Sequence, residues 1–158
     1  MKQFLILFGI LLVLFSCKEI YEVPPHSLLQ ATITNDTTQL KMTSKVTVQG
    51  IGRDSLWISN TSVSLISIPL STKLPLSTMD TTSYIVSFDS TVDTISFIHT
   101  SIQKYASMET GFYYEYNLKS IQSTHHRILS IDITDSLVTT IWHENIKINI
   151  LPLPVGSN

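Results

Sequence analysis

The side chain best suited to covalent chemistry is the thiol of Cys17, the only cysteine in the 158-residue sequence. It directly follows Ser16 and an apolar run over positions 4–15, and Lys2 precedes that run. A thiolate is a nucleophile that a lipid donor can alkylate. The apolar run is too short to span a bilayer and has the length of a signal-peptide core. The sequence therefore predicts an export signal over residues 1–16 that ends at a modifiable thiol.

The residues before this thiol resemble the bacterial lipobox, in which leucine at −3 and a small residue at −1 precede the cysteine. Those positions are Leu14 and Ser16 here. In that class the signal is cut before the cysteine, so we predict cleavage between Ser16 and Cys17 and lipid attachment at Cys17. Each buried CH₂ contributes about 0.8 kcal/mol, so two or three acyl chains hold a protein on the bilayer. The alternatives are a plain secretory signal and an uncleaved anchor helix.

The aspartates form a second pattern, because six of the seven are followed by serine or threonine. This pattern resembles the O-glycosylation motif of exported Bacteroidota proteins, Asp-[Ser/Thr]-[apolar or Thr]. The alternative is turn formation, since aspartate side chains accept hydrogen bonds from nearby backbone N–H groups. Both interpretations are compatible, because a glycan needs an exposed turn. The candidate acceptors are Thr37, Ser55, Thr81, Ser90, Thr94 and Ser136.

The other titratable residues predict no metal site and no catalytic residue. The adjacent His125 and His126 would point to opposite faces of a strand, and His99 shares a face with apolar neighbours. No HExxH motif and no G-x-S-x-G elbow occurs. Strand-end aspartates more often cap turns than act in pairs. The pairs with spacing for hydrolysis or calcium binding are Asp89 with Asp93 and Asp132 with Asp135.

Four aromatic residues are candidates for a platform that binds a glycan or a peptide: Tyr84, Tyr113, Trp57 and Trp142. Aromatic side chains are also ordinary core residues. Alternation places only Tyr113 on a polar face, so core packing is the preferred interpretation.

The elements that must position all these residues are β-strands. Serine, threonine, isoleucine and valine are abundant, and β-branched residues favour the pleated chain over the helix. A formal net charge of −2, evenly scattered, excludes nucleic-acid binding. Eight or nine alternating segments are typical of a sandwich. We expect an all-β, two-sheet antiparallel β-sandwich, immunoglobulin-like or similar, over residues 28–152, between a tether (17–27) and a tail (153–158).

Three segments carry specific expectations. Residues 29–34 alternate, so Leu29, Ala31 and Ile33 face the core and the residues between them face solvent. Leu129, Ile131 and Ile133 face the core in the same way. The segment 101–110 is ambiguous, because it shows one turn of helical spacing.

Short blocks of this sequence are similar to a family of Bacteroidota lipoproteins, DUF6452. In that family a cysteine commonly precedes the glycine that is Gly111 here, and this chain has Thr110 instead. The family carries no known activity, so the resemblance implies compartment and fold alone. The blocks are Pro24-Pro25, residues 46–56 (VTVQGIGRDSL), 68–70 (IPL), 93–95 (DTI), 109–112 (ETGF) and 143–148 (HENIKI).

Together these patterns predict a lipid-anchored protein of the cell envelope, without cofactor or catalytic function, that binds an envelope protein or a glycan or has a structural role. The alternative is an envelope hydrolase or an enzyme accessory subunit whose site no motif encodes. The membrane, through the N-terminal lipid, is the expected partner. Lys18-Glu19 and Glu22 partly resemble a surface-export signal that Ile20-Tyr21 interrupts. We therefore expect the periplasmic face of the outer membrane rather than the cell surface.

Overall fold

The computed structural model describes Val23 and residues 25–152. The predicted signal peptide, the cleavage site at Ser16, the lipid site at Cys17, most of the tether and the tail lie outside the described residues. Among the described residues, no helix could span a membrane. These residues form ten strands: β1 Leu28–Asn35, β2 Ser44–Gly50, β3 Leu56–Val63, β4 Leu65–Pro69, β5 Met79–Phe88, β6 Thr91–Ser107, β7 Gly111–Ser123, β8 Ile128–Ile133, β9 Leu137–Val138 and β10 Ile146–Ile150.

The strands build two sheets that pack as a sandwich, which confirms the predicted fold class. The four-stranded sheet has the order β4-β1-β10-β8, and the six-stranded sheet has the order β3-β2-β5-β6-β7-β9. Pairing is antiparallel except between β1 and β10, the first and last strands, which run parallel. The long β5-β6-β7 meander forms the middle of the larger sheet.

The core lies between the sheets and consists of aliphatic side chains and a few aromatic rings. Leu29, Ala31 and Ile33 of β1 are fully buried, as alternation predicts. They pack with Ile148 of β10 and Phe97 of β6 in one apolar cluster.

The outer face of β1 differs from the expectation, because its polar side chains are buried as well. Cross-strand hydrogen bonds satisfy Gln30 and Thr34. Gln30 Oε1 accepts from Ser67 Oγ at 2.7 Å. Thr34 Oγ1 bonds Asn149, whose Nδ2 donates to Ser130 Oγ at 2.8 Å. A ladder of polar side chains therefore crosses the outside of the small sheet, and the burial of these groups costs little because each has a partner.

The β6–β7 hairpin is longer than the sequence predicts. The ambiguous segment 101–110 is not helical, because β6 continues as a strand to Ser107 before a turn at 108–110. Burial alternates along β6 up to Ser101 and then stops, and residues 102–106 are all exposed. The hairpin therefore extends past the region that the opposite sheet covers.

The expectation for β8 is wrong at two of three positions. Ile128 is fully buried, whereas Leu129 and Ile133 are each 40% exposed. At Leu129 the cause is a β-bulge: Ile128 pairs with Ile150 and Ser130 with Asn149, which leaves Leu129 as the extra residue. The bulge does not explain Ile133, which still pairs with the buried Ile146. Ile131 is half-buried against the core.

The sandwich has two distinct ends. At the groove end, β1 starts and β4 stops, so Leu28 pairs with Pro69. Tyr84 of β5 reaches this end, where its hydroxyl donates to the Pro69 carbonyl. At the carboxylate end, Leu151 follows β10, and its carbonyl accepts from Arg127 Nε at 3.1 Å.

Candidate functional site

A groove lies at the groove end of the sandwich, with two lobes that share Trp57, Pro69 and Leu70. The polar lobe has a volume of about 490 Å³ and is lined by the β2–β3 turn and the start of β5. The aromatic lobe has a volume of about 460 Å³ and is lined by residues 25–28 and the start of β7. The two lobes therefore form one elongated site with Trp57 at the junction.

Trp57 is 51% exposed, so the expectation that it packs in the core is wrong. It lies on β3, an edge strand of the six-stranded sheet. Its Nε1–H donates to the Ser67 carbonyl at 2.7 Å, which fixes the ring against β4. Trp142 is also exposed, whereas Tyr84 is buried as expected. A fixed, half-exposed indole is a surface suited to binding.

Arg53 and Tyr84 form one wall of the polar lobe. Both side chains lie close to the backbone of Gly50, which has no side chain of its own. A Cβ at position 50 would lie 3.2 Å from Arg53 Cγ and 3.6 Å from Tyr84 Cε1. Burial raises the pKa of Tyr84 to about 12, against the charge of Arg53. The Tyr84 hydroxyl therefore stays protonated and holds the Pro69 carbonyl at the floor of the groove.

A chain of hydrogen bonds runs from the rim of the polar lobe into the core. The Ser71 hydroxyl lies 2.6 Å from Asp80 Oδ2 and 2.8 Å from Thr82 Oγ1. Thr82 Oγ1 also accepts from the Ser71 backbone N–H at 2.9 Å. It lies 2.8 Å from Nε2 of His99, which is fully buried. Four groups on the β4–β5 loop, β5 and β6 are therefore connected.

The donor count in this chain assigns the tautomer of His99. A carboxylate only accepts, so the Ser71 hydroxyl hydrogen goes to Asp80. The Thr82 hydrogen then goes to the Ser71 oxygen. The two lone pairs of Thr82 accept from the Ser71 N–H and from His99, so His99 carries its hydrogen on Nε2. The side-chain donors of His99, Thr82 and Ser71 therefore all point along the chain towards Asp80. The other ring nitrogen of His99, Nδ1, has no partner among the described residues.

Electrostatics keep this chain in that state. Burial lowers the pKa of His99 below 6.5, although the charge of Asp80 raises it. Burial would raise the pKa of Asp80, but the Ser71 hydroxyl, the Thr81 N–H and the charges of His99 and Lys73 lower it. Asp80 is therefore a carboxylate and His99 a neutral ring near pH 7. The Ser71 hydroxyl contacts a carboxylate and Thr82, not an imidazole, so the arrangement lacks the contact between nucleophile and base that serine catalysis needs.

The aromatic lobe is built on β7. The Tyr116 hydroxyl donates to the Leu70 carbonyl at 3.0 Å, and its ring meets His99 edge-to-face at a centroid distance of 5.4 Å. Tyr113 and Tyr114 are half-buried and Phe112 is exposed. Tyr113 therefore lines the groove. Alternation had predicted only that its side chain lies on the polar face of the strand.

Asp93 organises the carboxylate end. It is 1% exposed, and its two oxygens accept five hydrogen bonds from Thr124, His126, Arg127 and Ile128 at 2.7–3.1 Å. Burial would raise its pKa, but these donors lower it. Asp93 therefore holds the β7–β8 loop, a structural role like the turn capping expected of it, although its partners are distant in sequence.

Asp89 completes this end, where it binds Arg127 and Ser44 rather than pairing with Asp93, although the spacing of the two carboxylates in the sequence would suit hydrolysis. Arg127 Nη2 lies 2.9 Å from Asp89 Oδ2, and Ser44 Oγ donates to the same oxygen at 2.9 Å. Burial would raise the pKa of Asp89, but the Lys45 N–H, Ser44 and Arg127 lower it. Arg127 separates the roles of the two carboxylates, since one binds its side chain and the other its backbone N–H.

The other predicted site residues are spread over the surface. No three histidine, cysteine, aspartate or glutamate side chains in the described part of the chain could hold one metal ion. His125 and His126 lie in the β7–β8 loop rather than on a strand. His143 Nε2 lies 3.1 Å from Asp135 Oδ2, and Asp135 itself caps a turn through the Leu137 N–H.

Five of the six candidate glycosylation acceptors are exposed, and Thr94 is half-buried within β6. Asp80 and Asp135 accept hydrogen bonds from the nearby backbone N–H groups of Thr81 and Leu137, as the turn-forming alternative predicts. The backbone donors to Asp89 and Asp93 are distant in sequence, so the turn-forming alternative does not describe these two. The exposed acceptors are Thr37, Ser55, Thr81, Ser90 and Ser136.

Sequence reasoning missed the Ser71–Thr82–His99 chain. Its one signal is His99 itself, which takes a core position in the alternating run after Ile95 and Phe97. A histidine on an apolar face needs a hydrogen-bond partner, but nothing local identifies Thr82, which lies 17 positions away.

Comparisons with known proteins identify the family to which this chain belongs. Neither a curated protein nor a solved structure matches the chain. The model of a family of unknown function, DUF6452, matches residues 45–150, from the second strand to the last. This match covers the polar lobe, the hydrogen-bond chain and the carboxylate end. The chain belongs to the DUF6452 family.

Proposed function

We propose that this protein is a lipid-anchored component of the cell envelope that binds a glycan in the groove beside Trp57 and catalyses no reaction on it. The observation that carries the binding role is the Trp57 ring, which is half exposed, held by Ser67 and placed between a polar and an aromatic lobe. The anchor rests on the pattern that ends at Cys17.

The chemistry of the lining favours a sugar over other ligands. Sugars present apolar ring faces and a rim of hydroxyls, which match an aromatic plane bordered by donors and acceptors. The polar lobe supplies the remaining lone pair of the Ser71 hydroxyl and the Ser83 hydroxyl beside Arg53, whereas the Thr82 hydroxyl is fully used within the hydrogen-bond chain. Arg53 is the only permanently charged side chain among the described residues that line either lobe. An uncharged or weakly anionic polar ligand fits this lining best.

The alternative of a hydrolase, or of an enzyme accessory subunit, has less support. The Ser71 hydroxyl hydrogen is committed to Asp80, and the ring of His99 is buried and reaches only Thr82. An acid–base residue must reach the reacting group of a bound substrate. The groove offers a place to bind a ligand but no activated nucleophile beside it.

Tryptophan fluorescence tests the binding role, because the chain has two tryptophans. In a Trp142→Phe variant, Trp57 is the only tryptophan, and with selective excitation of tryptophan we expect a saturable shift on titration with chitohexaose, maltohexaose or cellohexaose. Trp57→Phe should weaken binding of the responding sugar about tenfold, a loss of about 1.4 kcal/mol, measured by calorimetry. Trp142→Phe is the matched control and should bind normally. A shift with extended peptides alone, or with no ligand in the panel, would contradict glycan binding.

Cell fractionation tests the anchor. Cys17→Ala removes the only thiol that can take lipid, so we expect loss of membrane retention, whereas Ser16→Ala keeps a small residue before the cysteine and should be retained. If Cys17→Ala still sediments with membranes after a detergent-free high-salt wash, the segment before residue 17 is an uncleaved anchor.

For the leaflet, we propose the periplasmic face of the outer membrane. The interrupted charge pattern of residues 18–22 supports this preference over surface display. Protease treatment of intact cells distinguishes the two: loss of the domain while a periplasmic control survives would place it on the surface.

A further inference from the structure

The β6–β7 hairpin carries an apolar face that nothing covers among the described residues. Its tip, Met108, is 90% exposed. Tyr105 and Phe112 are opposite each other across the hairpin, with ring centroids 5.6 Å apart, and both are more than half exposed. Contiguous apolar surface of this kind marks an interaction site rather than ordinary solvent-exposed surface.

This face is the continuation of the core-facing side of the large sheet. Along β6, His99 and Ser101 point into the sandwich and are buried. Tyr105 has the same parity and lies beyond the last residue that the small sheet covers. On β7, Tyr116 is buried and Phe112, on the same side, is exposed. The core-facing side of the large sheet therefore extends beyond the sandwich at the groove end.

The N-terminal segment enters the fold at this same end. Residues 25–28 line the aromatic lobe together with Phe112 and Tyr113. Seven residues, 18–24, separate this point from Cys17. Fully extended, they span about 25 Å at most, because each residue adds about 3.3–3.6 Å. A lipid on Cys17 would therefore hold the hairpin within a short distance of the bilayer surface.

The exposed side chains fit the interface of a bilayer. Tyrosine places an apolar ring in the headgroup region and its hydroxyl in water, and phenylalanine and methionine are apolar throughout. The charges at the exposed end of the hairpin, residues 102–115, nearly cancel, since Lys104 Nζ lies 3.6 Å from Glu115 Oε2 and only Glu109 is added. Insertion needs apolar contact rather than attraction to anionic lipid.

We propose that the hairpin tip, residues 105–112, inserts into the interface of the bilayer to which Cys17 is attached. The inference rests on the proposed lipid anchor. The contact fixes the orientation of the sandwich, with the groove end facing the membrane and the carboxylate end facing away. A ligand of the groove then lies close to the membrane surface.

A site-specific fluorophore tests this orientation. In the lipidated full-length protein Cys17 is blocked, so Met108→Cys introduces the single free thiol, which is labelled with the environment-sensitive dye NBD. In phosphatidylcholine vesicles we expect a blue shift, increased emission and quenching by spin-labelled lipid. The matched control is Ser90→Cys, on the exposed β5–β6 turn at the carboxylate end, whose dye should remain quenchable by aqueous iodide.

The outcomes separate the alternatives. Equal iodide quenching at positions 108 and 90 would overturn the proposal. Protection at 108 that disappears as the protein-to-lipid ratio is lowered would assign the face to a second copy and also overturn it. Two dyes per chain, detected by mass, would show that Cys17 carries no lipid, and both the anchor and this inference would then fail.

Discussion

The two ends of the sandwich solve the burial of polar groups in different ways. At the carboxylate end, one buried carboxylate, Asp93, receives five hydrogen bonds and closes a loop around itself. At the groove end, His99 joins an open chain that ends at Asp80 on the rim and leaves one ring nitrogen without a partner among the described residues.

The difference is in how the buried carboxylate and the buried ring are held. Asp93 is a fully satisfied acceptor, which rigidifies its surroundings, whereas the His99 ring is only partly satisfied. The carboxylate end has an unpartnered group as well, since no hydrogen bond reaches Arg127 Nη1 among the described residues. The open chain lies beside the groove, the exposed Trp57 and the uncovered hairpin face. Proteins concentrate such departures from optimal packing at functional sites, which agrees with the proposed binding role of this end.

The largest predicted effect is at Asp93. Asp93→Ala leaves the backbone N–H groups of His126, Arg127 and Ile128 without their acceptor. We expect a loss of about 3–5 kcal/mol in the free energy of unfolding, the usual cost of removing one partner from a buried charged network. Urea unfolding measures it. Asp54→Asn, at an exposed Asp-Ser pair, is the control and should lie within about 0.5 kcal/mol of wild type. Equal losses of unfolding free energy in the two variants would show that Asp93 has no special role in stability.

The next prediction, of intermediate size, tests whether the hydrogen bonds accepted by Asp93 set the register of β8. Asp93 accepts a hydrogen bond from the Ile128 N–H, so Ile128 points into the core and Leu129 becomes the extra residue of the bulge. Ile128→Ala should cost about 2–5 kcal/mol, and Leu129→Ala less than about 1.5 kcal/mol. The reverse order in chemical denaturation would mean that the strand keeps simple alternation without a bulge.

The smallest effect is the pH dependence of the groove end. The pKa of His99 is lower in the folded state, so the unfolded chain binds more protons and stability falls as pH drops below 6.5. One group contributes at most about 1.4 kcal/mol per pH unit. His99→Gln keeps an N–H donor but cannot titrate, so its stability should decline less steeply between pH 6.5 and 5. Parallel declines would show that His99 does not titrate in this way.

The carboxylate end responds in a different pH range. The pKa of Asp93 lies below its ordinary value of 3.8, so its contribution is complete above that value and is lost as pH falls through the lowered pKa. The two ends should therefore weaken in sequence during acidification, the groove end first.

Much of the fold follows from alternation, and most of the site does not. Leu29, Ala31 and Ile33 are assigned to the correct face because period-two patterning reflects the pleat directly. Leu129 is assigned wrongly because a bulge depends on Asp93, 35 positions before Ile128. Trp57 is assigned to the core because composition does not reveal that its strand lies at the edge of the larger sheet. Such features depend on contacts between distant segments.

The parallel pairing of the first and last strands has a consequence for how the chain folds. In the small sheet, β10 lies between β1 and β8, and among the described strands of that sheet β8 pairs with β10 alone. β10, one of the two central strands of this sheet, is therefore the last of the described strands to be synthesised, and ladders of such high sequence separation form slowly. Until residues 146–150 are available, β8 stays separate from β1 and β4. The small sheet can therefore be completed only after β10 is available, whereas the six-stranded sheet needs no residue beyond Val138.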